Sequence, residues 1–332
     1  MTPLGGAGSN EGVRKPSFAV TLGLAALLFA GGARAGDNDL QLWRLGHPDP
    51  IVVCTLCDGS AGDKKTESAE PDFAAQRRFA RLSASLGLSF VPGFVEPAAS
   101  TGQSGFELGF SQTGALLKLD ADEWPTVGSQ ATSTPPALLS VSTLTLRKGF
   151  GGSLEIGMQA SYLAGSQILA LGAQVRFGLI DGIDYAPDLG VRAWGSRLVG
   201  TGDLDLSMVG ADALLSKSIG LAGMVKLQPF FSYGVVMIHA TSGVIDFKPA
   251  VEDPKDPTAD DGVFHTVKLQ DNLYQRFSGG LRLVAGAAMI GFEGGVAFGT
   301  NVIQSDKLAG GVAPPTQFTR LVSGSLRLGV GF

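Results

Sequence analysis

From residue 104 onward the chain alternates. "SGFELGFSQ" puts Phe106, Leu108 and Phe110 on one side of an extended backbone and Glu107, Gly109 and Ser111 on the other. "SLEIGMQASYL" repeats this, with Leu154, Ile156, Met158, Ala160 and Tyr162 against Glu155, Gly157, Gln159 and Ser161. "ILALGAQVRFGL" sets Leu169, Leu171, Val175 and Phe177 against Gln174 and Arg176, and the last stretch, "SGSLRLGVGF", sets Leu326, Leu328, Val330 and Phe332 against Arg327. Segments near 138–148, 188–197, 204–217, 222–240, 268–285 and 287–299 carry the same signal. Period-two patterning through ten segments predicts an all-β, antiparallel structure.

Length and polarity decide which kind. Strands of soluble proteins cluster near five or six residues, whereas a tilted membrane-spanning strand needs about nine to eleven. The segments here run near ten or longer. Their apolar side is continuous and uncharged, and the other side carries full charges and many glycines, which offer little to build a core. The pattern therefore predicts a transmembrane up-and-down β-barrel over residues 104–332, apolar face to lipid and charged face to a lumen. The lumen-facing charges are expected to be Glu107, Glu155, Arg176, Arg192, Asp205, Lys226, Arg282, Glu293 and Arg327. Neighbouring strands should pair Glu155 with Arg176, Arg282 with Glu293, and Glu107 with Arg327 across the closure. The long connections, near 113–137, 241–267 and 300–316, all fall at one end, and the very short ones, "KGFGG" and "SIGLAG", at the other.

One segment fits two readings. "LSASLGLSF" alternates as a strand would, yet Ala75, Phe79, Leu82 and Leu86 also recur at helical spacing, with Asp72 as an N-cap and Gly87 as a stop. The helical reading keeps ten strands and places a short helix under or inside the barrel. The strand reading, with another strand hidden in 36–70, gives twelve.

The N-terminus adds a compartment. Arg14 and Lys15 precede the uncharged apolar run Phe18 to Ala30, and Ala33-Arg34-Ala35 follows with a small-x-small pattern, so residues 1–35 read as a cleaved signal peptide. A helix of that length covers about two thirds of a hydrocarbon core. The chain carries a formal net charge of −5, and removing 1–35 takes away three basic residues and one acidic, so nucleic acid is excluded as a partner. Cys54 and Cys57 are the only cysteines. In an exported protein Cys-x-x-Cys is compatible with a small disulfide, and two thiols alone do not make a metal site. Residues 36–103 thus form an irregular and partly helical segment, periplasmic or plug-like, ahead of the barrel. No cofactor motif is present.

Together the signal peptide, the strands of 104–332 and the terminal "LRLGVGF" resemble Gram-negative outer-membrane β-barrel proteins. The resemblance implies an outer-membrane location, outer-membrane lipids as surroundings, and Phe332 as part of a signal read by the barrel-assembly machinery. It implies a porin-like role, passage of small solutes through a narrow lumen, with a non-conducting structural or surface-interaction barrel as the alternative. A third reading is an outer-membrane hydrolase. His239 and His265 flank a long loop carrying Asp246, Asp253, Asp260 and Asp261, and a histidine oriented by a carboxylate is a general-base arrangement. No Gly-x-Ser-x-Gly nucleophile motif is present and the paired acidic motifs of the ten-stranded omptin proteases are missing, so no catalytic residue is assigned. "DPKDPTADDG" lacks the spacing of an EF-hand loop, so no metal ligand is assigned either.

Overall fold

The computed structural model describes residues 36–48, 74–93, 97–116, 122–132, 137–183, 185–221, 223–250, 260–301 and 316–332. The signal peptide, Asp72, Cys54, Cys57 and Asp253 lie outside the described residues.

Ten long strands build the wall: β1 (Phe106–Leu116), β2 (Leu138–Gly149), β3 (Leu154–Leu163), β4 (Leu169–Ile180), β5 (Asp188–Val199), β6 (Leu204–Ser216), β7 (Val225–Ser242), β8 (Asn272–Ala285), β9 (Ala288–Asn301) and β10 (Thr316–Gly331). Each pairs antiparallel with its neighbours in chain order, and β10 returns to β1 with Glu107 opposite Gly331 and Phe110 opposite Leu328. The ring is closed. Past the last paired residues Phe332 and Phe106 exchange two main-chain hydrogen bonds, at 2.8 and 2.9 Å, and their rings stack with centroids 5.7 Å apart.

Polarity is inverted relative to a soluble barrel. Met158, Leu171, Phe292 and Leu328 point outward, Met158 with 63 % of its surface exposed, whereas Glu107 points inward with 1 % exposed. Only a hydrocarbon surround makes that arrangement favourable, because in water the exposed apolar wall would bury itself instead. Tyr233, Phe277 and Phe298 form an aromatic run on the outer wall of β7 to β9, with centroids 4.8 and 5.8 Å apart. Trp124 and Trp194 are buried, so the outer aromatics here are phenylalanine and tyrosine.

Short turns gather at the end where the chain terminates. The β8–β9 turn has only Gly286 and Ala287 between paired Ala285 and Ala288, and Gly286 takes a φ of +60°, which glycine adopts without strain. The long connections lie at the opposite end. There a short helix, α2 (Val127–Thr132), and a hairpin of Ile245–Asp246 with Asp261–Gly262 are formed. A 3-10 turn at Leu42–Leu45 joins them, with Leu40 bridged to Thr126 and Asn38 bonded to Gly165 of the β3–β4 connection.

Residues 74–93 and 97–105 run down the lumen from that end. Helix α1 (Ala74–Ser89) has twelve of its sixteen residues buried, which a surface helix does not show. It touches β6, β7, β9 and β10. Helical spacing prevails over the alternation in "LSASLGLSF" because the alternate serines satisfy themselves. Ser83, Ser85 and Ser89 donate to the carbonyls of Phe79, Arg81 and Ser85 at 2.7 to 2.8 Å, so all can be buried against apolar walls. Gly87 does not stop the helix. It lies inside it, where a Cβ would stand 2.7 Å from Ile238 Cδ1, so its missing side chain is what lets α1 seat against β7. Below α1 the chain continues past Pro92 and Pro97 and turns into β1 at the short-turn end.

Candidate functional site

The lumen has two storeys. In the upper one, toward the long loops, the inner wall is apolar: Val141, Leu163, Trp194, Leu206, Met208 and Ile238 pack around Phe79, Leu82 and Leu86 of α1. Phe79 stacks on Phe264 with centroids 4.7 Å apart. Polar contacts fix the helix in register. The Gln76 amide exchanges two bonds with the His265 main chain, Asn301 donates to the Ala80 carbonyl at 2.7 Å, and Arg81 pairs with Glu123.

The lower storey is ionic. Glu107 receives three guanidiniums: Arg147 at 2.5 Å, Arg327 at 2.9 Å and Arg282 at 3.1 Å. Glu155 pairs with Arg147 at 2.9 Å and with Arg176 at 2.7 Å, and accepts from the Thr101 amide. Arg192 holds Asp212 at 2.8 Å and Arg276 holds Glu293 at 3.2 Å. Burying such groups costs several kcal/mol per ion unless each is paired and hydrogen-bonded, and here each carboxylate has at least one guanidinium. The descending N-terminal segment completes the belt with its main chain. Arg276 donates to the Pro92 carbonyl at 2.7 Å, Arg192 to Gly93 at 3.1 Å, and Arg176 to Pro97 at 2.6 Å and Ala99 at 3.4 Å.

Glycine makes room for this chemistry. A Cβ at Gly109 would lie 2.5 Å from the Arg327 guanidinium, and one at Gly234 would lie 2.0 Å from Asp212 Oδ1. A ten-stranded barrel is close to the size that side chains alone fill, so long charged side chains need neighbours with none.

Of the nine expected lumen charges, Glu107, Glu155, Arg176, Arg192, Arg282, Glu293 and Arg327 line this belt. Asp205 does not. It faces outward and pairs with exposed Arg197, because the apolar row Leu204, Leu206 and Met208, which the alternation assigns to lipid, packs on α1 instead. Lys226 keeps the inward register but is exposed near the start of β7. Glu155 meets Arg176 and Glu107 meets Arg327. The expected Arg282–Glu293 match is replaced by Arg282 with Glu107 and Arg276 with Glu293, since Gly291, not Glu293, lies opposite Arg282. Arg147, Asp212 and Arg276 complete the belt and escaped the sequence reading. Arg147 extends the Leu144, Leu146 alternation and was within its reach. Asp212 sits on the strand whose apolar row was assigned to the wrong side, and Arg276 follows an outward polar residue, Gln275, that blurs the pattern.

The hydrolase candidates do not converge. His239 faces outward on β7, opposite Ser207. Asp246 caps the Lys248 amide and Asp260 pairs with the Lys248 ammonium at 2.6 Å. Among the described residues no group of three or more His, Cys, Asp or Glu is placed to hold a metal ion. A cavity of about 140 Å³ lies between Asp39, Leu40, Ile168 and the 200–204 turn, at the long-loop end.

A closed antiparallel barrel with an apolar outer wall and a charged interior is the fold of the Gram-negative outer-membrane β-barrels, and it locates the chain in an outer membrane. No protein-family model and no curated protein matches the sequence. Solved structures similar to it include Ail, the attachment invasion locus protein of Yersinia pestis, in complex with the heparin analogue sucrose octasulfate. That match has 10 % identity over 70 % of this chain and 100 % of that one, with a TM-score of 0.26. Neisserial surface protein A matches at 10 % identity over 68 % and 94 %, with a TM-score of 0.25. OmpT, an outer membrane protein of Vibrio cholerae, matches at 12 % identity over 59 % and 56 %, with a TM-score of 0.24.

Proposed function

We propose that this protein is an outer-membrane barrel that does not conduct at rest and works at its long-loop end as an interaction surface. The observation that carries this is the double occlusion of the lumen by residues 74–93 and 97–105, by α1 above and by the arginine-bound main chain below. The long-loop end faces outward in barrels of this kind. Here it is a built surface: Arg44 donates to the Thr126 carbonyl and Ser129 Oγ, and Asn38 to the Ala164 carbonyl, so the N-terminal segment is knitted to the loops of the wall. Of the two non-enzymatic readings of the sequence, a small-solute channel and a non-conducting structural or surface-interaction barrel, the filled lumen favours the second. Folded protein in planar bilayers is expected to show no unitary current and to admit no small sugars in liposome swelling. A steady open current from the unmodified chain would overturn the proposal.

A further inference from the structure

The cavity of about 140 Å³ at the long-loop end is built from three pieces of chain: residues 39–42, the β3–β4 connection at Gln167 and Ile168, and the β5–β6 turn at 200–204. Asp39 ties the first two together, its carboxylate accepting from the Gly36 and Gln167 amides, both at 2.7 Å. Gly200 brings in the third. It takes a φ of +90°, and a Cβ there would stand 2.6 Å from the Gln167 carbonyl oxygen, so glycine is what lets the turn close on the connection. The cavity is thus held open by the fold before any ligand arrives, which lowers the ordering cost of binding.

Its lining separates by polarity. Leu42, Ile168 and Leu204 form a buried apolar floor, whereas Gln167 and Asp203 stand exposed at the rim. The side chains of Gln167 and Asp203 make no hydrogen bond or ion pair among the described residues. No described lining residue is basic. An ionised carboxylate only accepts, so this rim repels anions and offers a cation a charge-assisted partner. The volume lies well below the roughly 300 Å³ at which pockets begin to hold drug-sized ligands, so it suits one short aliphatic chain. A chain with an ammonium head rests its carbons on apolar surface and keeps the charge at the wet edge.

We propose that this cavity binds an aliphatic ammonium group, with its carbon chain on Leu42, Ile168 and Leu204 and its head at Asp203. A free short-chain amine and a lysine side chain of a partner protein carry the same group. This ligand class deepens the reading of the long-loop end as an interaction surface and rests on it.

Detergent-folded protein is titrated with n-butylammonium, n-butanol and butyrate by saturation-transfer NMR, with detergent alone as the blank. Butylammonium should bind saturably and about fivefold more tightly than butanol at low salt, an advantage that high salt removes. Butyrate should not bind. Asp203→Asn changes an exposed side chain without partners and should abolish the preference for the ammonium while leaving the weaker binding of butanol. Gly202→Tyr should abolish both. Gly202 lines the cavity and a Cβ there meets nothing within 4 Å, so the tyrosine fills the mouth without disturbing the wall. Heat-modifiable migration on gels shows that each variant is folded. Nα-acetyl-lysine methylamide separates the two sources. If it binds as tightly as butylammonium, the occupant is a partner's lysine; if butylammonium alone binds, it is a free amine; either supports the site. The site is overturned if butylammonium binds no better than butanol, if Asp203→Asn keeps the preference, or if folded Gly202→Tyr keeps the binding. Current from the unmodified protein would instead overturn the closed lumen, and the titration would remain readable.

Discussion

Glu107 is the most heavily committed side chain of the lumen, with Arg147, Arg282 and Arg327 all on one carboxylate. Replacing it by glutamine leaves three guanidiniums facing a neutral amide, and breaking a buried ion pair from one side costs about 3–5 kcal/mol. Glu107→Gln should therefore lower the denaturant midpoint of the detergent-folded barrel substantially, while Glu107→Gln combined with Arg327→Met should recover part of the loss. Equal midpoints for the single and the double variant would show that the pair is not coupled. At this scale the sequence was readable wherever one residue alternates against lipid: Glu155 and Arg176 are placed by Ile156 and Val175 beside them. It was unreadable where a strand carries apolar residues on both faces, as around Asp205, which points outward, and Asp212, which points inward. There the period of two survives and the face it points to is undetermined.

Among the elements, α1 separates helix packing from wall stability. Phe79 is fully buried against Phe264, so Phe79→Ala should cost about 3–5 kcal/mol of helix docking. The hydroxyls of Ser83 and Ser85 bond only within their own helix, and Ser83→Ala and Ser85→Ala should change stability by less than about 0.5 kcal/mol. Hydrogen exchange of the α1 amides, set beside the exchange of the strand amides, reads both: the first variant should expose the helix, the other two should leave it protected. Comparable deprotection by the serine variants would contradict this account. The helix was legible as a helix from Ala75, Phe79, Leu82 and Leu86, and its end was not. Gly87 looks like a terminator in sequence because a packing glycine and a stop glycine are the same letter, and only the position of Ile238, 151 residues on, tells them apart.

At the scale of the whole molecule, orientation is the testable quantity. Val244 lies exposed at the long-loop end and Tyr185 fully exposed at the short-turn end. In a chain with Cys54 and Cys57 changed to serine, Val244→Cys should react with a membrane-impermeant thiol reagent on intact cells. Tyr185→Cys should react only after the envelope is opened, and the reverse order would invert the orientation. The fold class was legible as a whole because every strand keeps the period of two, even where, as on β6, the face it points to is not given by the pattern. The content of the lumen was legible only in part, because an N-terminal segment leaves no periodic trace in the strands beyond a strip of apolar residues that mimics a second lipid face. That segment also bears on how the molecule comes to exist. Residues 36–48 meet the wall at one end, residue 105 enters β1 at the other, and the seam between Phe106 and Phe332 is sealed around α1 and residues 97–105. A closed ring cannot be threaded sideways. Once the seam is sealed α1 can reach its seat only end-on, whereas before that it can enter through the open side, so in a time-resolved assembly protection of α1 should precede that of the β1–β10 seam.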